Sequence, residues 1–244
     1  MNHSPGMNNS PAQLLEPVRI VVIATYNERK NIPSLIVGIL KFQPEFQVLI
    51  VDDNSPDGTA EVVVGLADKN ERVHILRRPG KLGYGTAVMA GFREAIRLGG
   101  ERIFTMDADH SHDPRALISL DRALGEHDMV IGSRYLRGIW VMSWSPGRLS
   151  LSLGANAYIR FVLRLNYTDC TSGFRGYRER AVKRLIREPI LSSGYAFLAE
   201  VLVTAHRSGF SLSGRCRLSI PSVAPANRRC PGPISGKPFI VLGT

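Results

Sequence analysis

Cysteine is scarce in this 244-residue sequence. Cys170, Cys216 and Cys230 show neither the paired spacing of a disulfide framework nor a zinc-binding pattern, which favours a reducing compartment. The chain starts with polar residues that carry no signal-peptide pattern. No apolar run approaches the roughly 20 residues that a membrane-spanning helix needs. We therefore expect a cytoplasmic protein that reaches a membrane only from its surface or through a membrane-anchoring partner protein.

Acidic residues are absent from residues 201–244, although that segment carries several Arg and Lys. The formal net charge of the chain is +10 at pH 7, which predicts an anionic partner. We expect a nucleotide or a phospholipid surface and no nucleic acid, because no aromatic–basic motif accompanies the charge. Residues 80–85 are glycine-rich, but they lack both the spacing of a dinucleotide fingerprint and the Gly-Lys-Ser/Thr ending of a Walker loop.

The pattern divides the chain into three parts. We expect a flexible leader at residues 1–17, one domain at residues 18–210, and an irregular basic tail at residues 211–244. Within the domain, short apolar runs at 18–24, 47–51, 73–76, 103–106 and 128–131 alternate with segments of helical spacing. This alternation predicts an α/β fold with a mainly parallel sheet flanked by helices.

Acidic side chains follow three of the predicted strands, as Glu28, Asp52 with Asp53, and Asp107 with Asp109. The carboxyl ends of parallel strands are where open α/β sheets bind ligands. Residues two apart in extended chain point the same way, so Asp107 and Asp109 can face one ligand. Adjacent carboxylates repel unless a cation lies between them, and a hard divalent ion is the simplest candidate. The competing interpretation is that each acid caps a helix or a turn.

Two other functions fit some of the same residues. His110 and His112 beside the acids could form a transition-metal cluster, although zinc ligands usually come from separated segments. Acids at the ends of strands one, two and four also occur in phosphoacceptor receiver domains. That class requires a Lys after strand five, but this sequence has Arg134 after Ser133 at that point.

Seven segments together resemble, in order, the motifs of inverting family 2 glycosyltransferases, most closely the dolichol-phosphate or polyprenol-phosphate mannosyltransferases. Single segments are weakly specific, but the ordered set is highly specific, and it covers roughly residues 18–210. The segments are Thr-Tyr-Asn-Glu at 25–28, Asp-Asp-Asn-Ser-Pro-Asp-Gly-Thr at 52–59, Gly-Tyr-Gly-Thr-Ala at 83–87, Asp-Ala-Asp-His-Ser-His-Asp-Pro at 107–114, Gly-Ser-Arg-Tyr at 132–135, Asp-Cys-Thr-Ser-Gly-Phe-Arg at 169–175 and Gly-Tyr-Ala-Phe-Leu-Ala-Glu at 194–200.

The resemblance implies a GT-A fold, the Rossmann-like fold of nucleotide-diphospho-sugar transferases, in a peripheral enzyme at the cytoplasmic face of a membrane. It implies transfer of mannose from GDP-mannose to a polyprenyl phosphate with inversion, with Mg²⁺ or Mn²⁺ as cofactor. Transfer of glucose or N-acetylglucosamine to the same lipid is the runner-up. The implied donor-binding residues are Tyr26, Glu28, Asp52, Asp107 and Asp109.

The same resemblance assigns the remaining site residues. The implied metal ligands are Asp107, Asp109 and Ser111, and the implied acceptor-phosphate residues are Arg134, Arg148 and Ser152. Asp109 and Arg134 are the implied catalytic residues. We expect Arg134 to follow strand five beside the strand that carries the metal-binding acids.

The tail departs from the family pattern, as does Ala24, which stands where relatives usually have Pro. Relatives continue after the last helix with a further strand and an Arg-rich loop that closes over the phosphates. Residues 211–244 lack that order, which indicates a reading-frame change or a truncated gene model. Arg228 and Arg229 are the only paired cations there that could substitute. We expect no pairing of this tail with the sheet, and a nucleotide-binding remnant with weak turnover is the alternative function.

Overall fold

A computed structural model describes residues 16–133, 154, 169–192 and 194–217. Within these residues, seven strands form one sheet. The strands are β1 (Arg19–Thr25), β2 (Phe46–Asp52), β3 (Val73–Arg77), β4 (Arg102–Thr105), β5 (Met129–Ser133), β6 (Arg175–Arg178) and β7 (Leu212–Arg217). The helices are α1 (Ile32–Phe42), α2 (Thr59–Ala67), α3 (Tyr84–Arg97), α4 (Leu117–Ala123), α5 (Glu179–Leu185) and α6 (Gly194–Arg207), with a 3₁₀ turn at Pro114–Ala116.

The sheet has the strand order β3-β2-β1-β4-β6-β5-β7. Every pairing is parallel except those of β6, which runs antiparallel to both β4 and β5. This confirms the predicted α/β architecture with a mainly parallel sheet. It also places the carboxyl ends of β2, β1 and β4 side by side at one edge.

Helices cover both faces of the sheet because the strand residues are apolar on both sides. In β1, Ile20 and Val22 pack with α3, α5 and α6, whereas Val21 and Ile23 pack with α1, α2 and α4. A Cβ atom on Gly91 of α3 would lie 2.4 Å from Val22 Cγ1. Glycine there lets α3 pack closely against the sheet.

Strand β6 corrects one sequence expectation. The apolar runs read from the sequence include no strand at Arg175–Arg178, but this segment forms the strand between β4 and β5. The expectation that strand five lies beside the strand bearing Asp107 and Asp109 is therefore wrong. The reason is topological, because the chain returns antiparallel between them instead of by another right-handed crossover.

Strand β7 corrects a second expectation. Residues beyond about 210 were expected not to pair with the sheet, but Leu212–Arg217 pairs with β5 in parallel. The Ser211 carbonyl accepts hydrogen bonds from the amides of Asp128 and Met129, and the Ser211 amide donates to Asp128 Oδ2 at 3.0 Å. These hydrogen bonds use backbone atoms and one carboxylate, so the pairing of β7 does not depend on an apolar pattern in the tail.

In the part of the chain that the structure describes, no helix has the length and apolar character needed to cross a bilayer.

Candidate functional site

Three acidic strand ends meet at one edge of the sheet, as the sequence predicts. Residues 26–28 follow β1, Asp53 follows β2, and residues 107–109 follow β4. Because β1 lies between β2 and β4, these segments are immediate neighbours. The edge therefore forms the candidate site.

Asp52 closes the junction between β1 and β2. Its Oδ1 accepts hydrogen bonds from Thr25 Oγ1 at 2.9 Å and Ser55 Oγ at 2.6 Å, and its Oδ2 accepts from the Ser55 amide at 2.9 Å. The residue is fully buried. In this conformation Asp52 shapes the floor of the site and does not face solvent.

The segment after β1 presents an aromatic ring at the surface. Tyr26 is 37% exposed, and Lys81 Nζ lies 4.2 Å from its ring centroid, within the range of a cation–π contact. Asn27 adopts a left-handed conformation with φ 62°, and its amide donates to Ser55 Oγ at 3.0 Å. Glu28 Oε2 accepts a hydrogen bond from Asn31 Nδ2 at 2.8 Å. The turn thus holds the Tyr26 ring at the edge of the site.

Asp53 and Arg78 anchor the glycine-rich loop that carries Lys81. Arg78 Nη1 donates to Asp53 Oδ1 at 2.7 Å, and Arg78 Nη2 donates to Thr86 Oγ1 at 2.7 Å. The Leu82 amide donates to Asp53 Oδ2 at 3.3 Å. Burial raises the pKa of Asp53, and the Arg78 charge opposes that rise. Sequence reasoning missed Arg78, because nothing in its spacing indicates its partner.

Asp107 lies against the backbone of the 169–175 loop. A Cβ atom on Gly173 would lie 2.8 Å from Asp107 Oδ1 and 3.1 Å from Tyr84 Oη, so only glycine permits this approach. Burial, and next the charge of Asp107, raise the pKa of Tyr84 well above its ordinary value. Its hydroxyl therefore keeps its proton at neutral pH. The other carboxylate oxygen of Asp107, Oδ2, lies 3.1 Å from His112 Nε2.

Asp109 is exposed and lies in a tight turn. Its Oδ1 accepts a hydrogen bond from the Ser111 amide at 3.0 Å. His110 between them has φ 59°, and its Nε2 lies 3.1 Å from Ser34 Oγ. Strand β4 ends at Thr105, so the extended-chain argument for a shared face of the two acids does not apply.

The 169–175 loop is held from inside by Arg175, which is fully buried. Its guanidinium donates to the carbonyls of Ser172, Leu198 and Cys170 at 2.7, 2.8 and 2.8 Å. Thr105 Oγ1 donates to the Gly173 carbonyl at 2.7 Å. Arg175 thus joins the loop to α6, and Thr105 joins it to β4. The family motif contains this Arg, but sequence reasoning gave it no role.

Within the described ranges, no group of three or more His, Cys, Asp or Glu side chains is arranged to hold a metal ion. His110 and His112 contact different partners, Ser34 and Asp107, so the transition-metal cluster considered from the sequence is not supported. The predicted residues Arg134, Arg148 and Ser152 lie outside the described residues, as do Arg228 and Arg229.

Comparison with known proteins places the chain in a family and matches its fold. A family model described as Glycosyl transferase family 2 matches residues 20–186. Polyprenol monophosphomannose synthase of Mycolicibacterium smegmatis is 39% identical over 211 residues, which cover 85% of this chain and 79% of that protein. Undecaprenyl-phosphate mannosyltransferase of Micrococcus luteus is 37% identical over 190 residues, 78% of this chain and 78% of that protein.

Solved structures share the fold at lower identity. Glucosyl-3-phosphoglycerate synthase from Mycobacterium tuberculosis, in complex with Mn²⁺, UDP and phosphoglyceric acid, aligns with a TM-score of 0.62 at 17% identity, covering 87% of this chain and 72% of that chain. A mannosyltransferase from Pyrobaculum calidifontis, in complex with GDP-Man and Mn²⁺, aligns with a TM-score of 0.58 at 17% identity. The alignment covers 86% of this chain and 59% of that chain. Likeness at this identity establishes the architecture only.

Proposed function

Because this chain belongs to glycosyl transferase family 2 and has the GT-A fold that its sequence predicts, we propose that it transfers mannose from GDP-mannose to a polyprenyl phosphate. The observation that carries the proposal is its 39% identity to a polyprenol monophosphomannose synthase over most of both chains. The arrangement of acids and aromatic side chain at the β2–β1–β4 edge supports a nucleotide-sugar site.

The donor nucleoside is assigned to the end of β1. The exposed ring of Tyr26 offers a stacking face, and the Glu28 carboxylate can accept hydrogen bonds from a base or a ribose. Asp52 is buried beneath them, so its assigned role is to keep the two strand ends together. Lys81 over the Tyr26 ring adds a cation near an anionic donor.

The donor diphosphate is assigned to the neighbourhood of Asp107 and Asp109, which would hold a divalent cation. The residues fit such an ion, because Mg²⁺ and Mn²⁺ prefer hard oxygen ligands such as carboxylates. The Ser111 hydroxyl, two residues after Asp109, is a further oxygen ligand of this kind. Asp109 and Ser111 are exposed, and the Asp107 side chain is 39% exposed. When bound, Mg²⁺ or Mn²⁺ would offset the charge that develops on the departing diphosphate.

The acceptor is assigned to the segment after β5. Ser133 ends β5 and Arg134 follows it, and a planar guanidinium suits a phosphate better than a Lys ammonium does. Arg148 and Ser152 complete the assigned set. The acceptor phosphate is already anionic, so the reaction needs no strong general base. Its oxygen forms a bond to C1 of mannose as the bond from C1 to the GDP oxygen breaks, and attack from the opposite face gives a β-linked mannosyl phosphate.

The acceptor lipid implies work at a membrane surface. The net charge of +10 favours contact with anionic headgroups. We therefore place the protein as a peripheral enzyme at the cytoplasmic face, aided by a membrane-anchoring partner protein.

A donor panel tests this function. The full chain is incubated with a short polyprenyl phosphate, Mn²⁺ and either GDP-mannose, UDP-glucose or UDP-N-acetylglucosamine, and the lipid is analysed by mass spectrometry. We expect a hexose adduct from GDP-mannose alone. An adduct formed only from a UDP-sugar would replace the mannosyl assignment, and GDP binding without any adduct would favour the nucleotide-binding remnant.

A further inference from the structure

His112 is the one histidine of the 107–114 segment that is enclosed by the protein. Its side chain is 4% exposed, and its ring stacks on Phe174 with centroids 4.9 Å apart and an interplanar angle of 14°. Phe174 follows Gly173, the residue that touches Asp107. The imidazole therefore bridges the turn that follows β4 and the 169–175 loop.

The two ring nitrogens of His112 differ in their surroundings. Nε2 lies 3.1 Å from Asp107 Oδ2, and since a carboxylate only accepts hydrogen bonds, Nε2 carries the donating proton. Nδ1 is buried and has no hydrogen-bond partner among the described residues. An unpaired buried nitrogen costs free energy that a phenyl ring in the same place would not. Packing on Phe174 alone thus does not explain a histidine here, whereas its contact with Asp107 does.

Asp107 consequently has a close neighbour at each carboxylate oxygen, and the neighbour of Oδ2 is a hydrogen-bond donor. Oδ1 faces Gly173, where the absence of a Cβ leaves room for it, and Oδ2 meets the imidazole. Groups that hold a ligating carboxylate in one orientation preserve its geometry for the ion, and removing them typically weakens metal binding. We propose that His112 is a positioning residue that orients the Asp107 carboxylate for the divalent cation of the donor site. This inference rests on the proposed function.

Matched variants of the full chain test this role. His112→Phe keeps the aromatic stack and removes the Nε2 donor, whereas His112→Gln restores an N–H donor at a similar distance from the backbone. His110→Asn is the control, because His110 is exposed, contacts Ser34 and has a φ of 59° that asparagine tolerates. Mn²⁺ affinity in the presence of GDP is measured by electron paramagnetic resonance of the free ion, and the melting temperature is measured without metal.

We expect H112F to bind Mn²⁺ about 10-fold more weakly with an unchanged or higher melting temperature, H112Q to recover much of the affinity, and H110N to match the wild type. H112F binding Mn²⁺ as tightly as the wild type would overturn the inference and leave the proposed function standing. A melting temperature that falls in step with affinity in both H112F and H112Q would also overturn it. A wild type that binds no Mn²⁺ would instead refute the metal part of the proposed function.

If H112F does not fold, H112L and H112Q make the same comparison. Leucine has no donor and glutamine has one, so equal Mn²⁺ affinity of these two variants would overturn the inference.

Discussion

Asp53 and Arg78 form an ion pair of 2.7 Å in which each side chain is less than a tenth exposed. The pair joins the end of β2 to the loop before α3, because Asp53 also accepts from the Leu82 amide and Arg78 also donates to Thr86. This loop carries Lys81 over the Tyr26 ring. The relationship therefore links the strand edge to the surface on which the nucleoside is expected to bind.

Replacing Arg78 with Met tests the importance of this pair. The change leaves the Asp53 charge buried without its cation, which costs about 3 kcal/mol of unfolding free energy. Urea unfolding at pH 7 measures the loss. The double variant Asp53→Asn with Arg78→Met should recover part of it, because no buried charge remains. A double variant at least as unstable as R78M would show that the pair is not the cause.

Arg175→Lys should destabilise the fold by about 2 kcal/mol, since a Lys ammonium cannot reproduce the planar set of donors that meets three carbonyls. Arg180→Lys is the matched control, because the Arg180 side chain is 66% exposed and a Lys keeps the positive charge that faces its buried partner Asp128. Chemical denaturation of both variants makes the comparison. Equal, small losses would contradict the structural role given to Arg175.

The ion pair between Asp113 and Arg115 predicts how stability depends on pH. Its hydrogen bond with Arg115 lowers the pKa of Asp113, and burial opposes this. A lowered pKa means that the contribution to stability is complete above the ordinary carboxyl pKa and is lost as pH falls through the folded value. Asp113→Asn keeps a good N-cap and removes the charge. The unfolding free energy of the wild type should therefore exceed that of the variant by about 0.5 kcal/mol at neutral pH, since solvent screening keeps the difference small.

The thermal stabilities of wild type and D113N, compared from pH 7 down to about pH 2, measure this difference. It should shrink toward zero at the acid end. A difference that grows on acidification would have the wrong sign for the proposed pairing.

Arg134→Ala should raise the KM for polyprenyl phosphate while GDP-mannose affinity is retained. The physical reason is that Arg134 follows β5 in the chain, and β6 separates β5 from β4, the strand that leads to Asp107 and Asp109. Steady-state kinetics with both substrates measure the effect, with Arg97→Ala on the exposed face of α3 as control. Parallel loss of donor and acceptor binding would indicate a salt bridge or another structural role.

Much of the fold could be predicted from local pattern. The apolar runs of β1 and β2 differ from their predicted bounds by one residue at each end, because strands buried on both faces contain few polar residues. Asp113 accepts from the Arg115 amide as an N-cap, which its position before Pro114 favours. The neighbouring positions of the acidic strand ends followed from parallel topology alone.

The rest of the fold depends on contacts distant in sequence. Arg-Gly-Tyr-Arg at 175–178 looks polar, yet Arg175 is buried because carbonyls from two separate segments satisfy it. The pairing of Leu212–Arg217 with β5 is carried by backbone hydrogen bonds. Likewise, the roles of Arg78 and His112 depend on partners that the spacing of residues does not reveal.

The proposed metal-dependent mannosyl transfer is measured most directly by incorporation of radiolabel from GDP-mannose into a short polyprenyl phosphate, which is then extracted into organic solvent. We predict labelled lipid with Mn²⁺ or Mg²⁺ that disappears with EDTA. Asp109→Asn should lose both transfer and metal-dependent GDP-mannose binding, whereas Asp68→Asn, an exposed acid after α2, should retain them. An absence of labelled lipid under conditions in which the Mycolicibacterium smegmatis relative produces it would contradict the proposed transfer. Nucleotide binding that is insensitive to EDTA and unchanged in D109N would contradict the role of the metal.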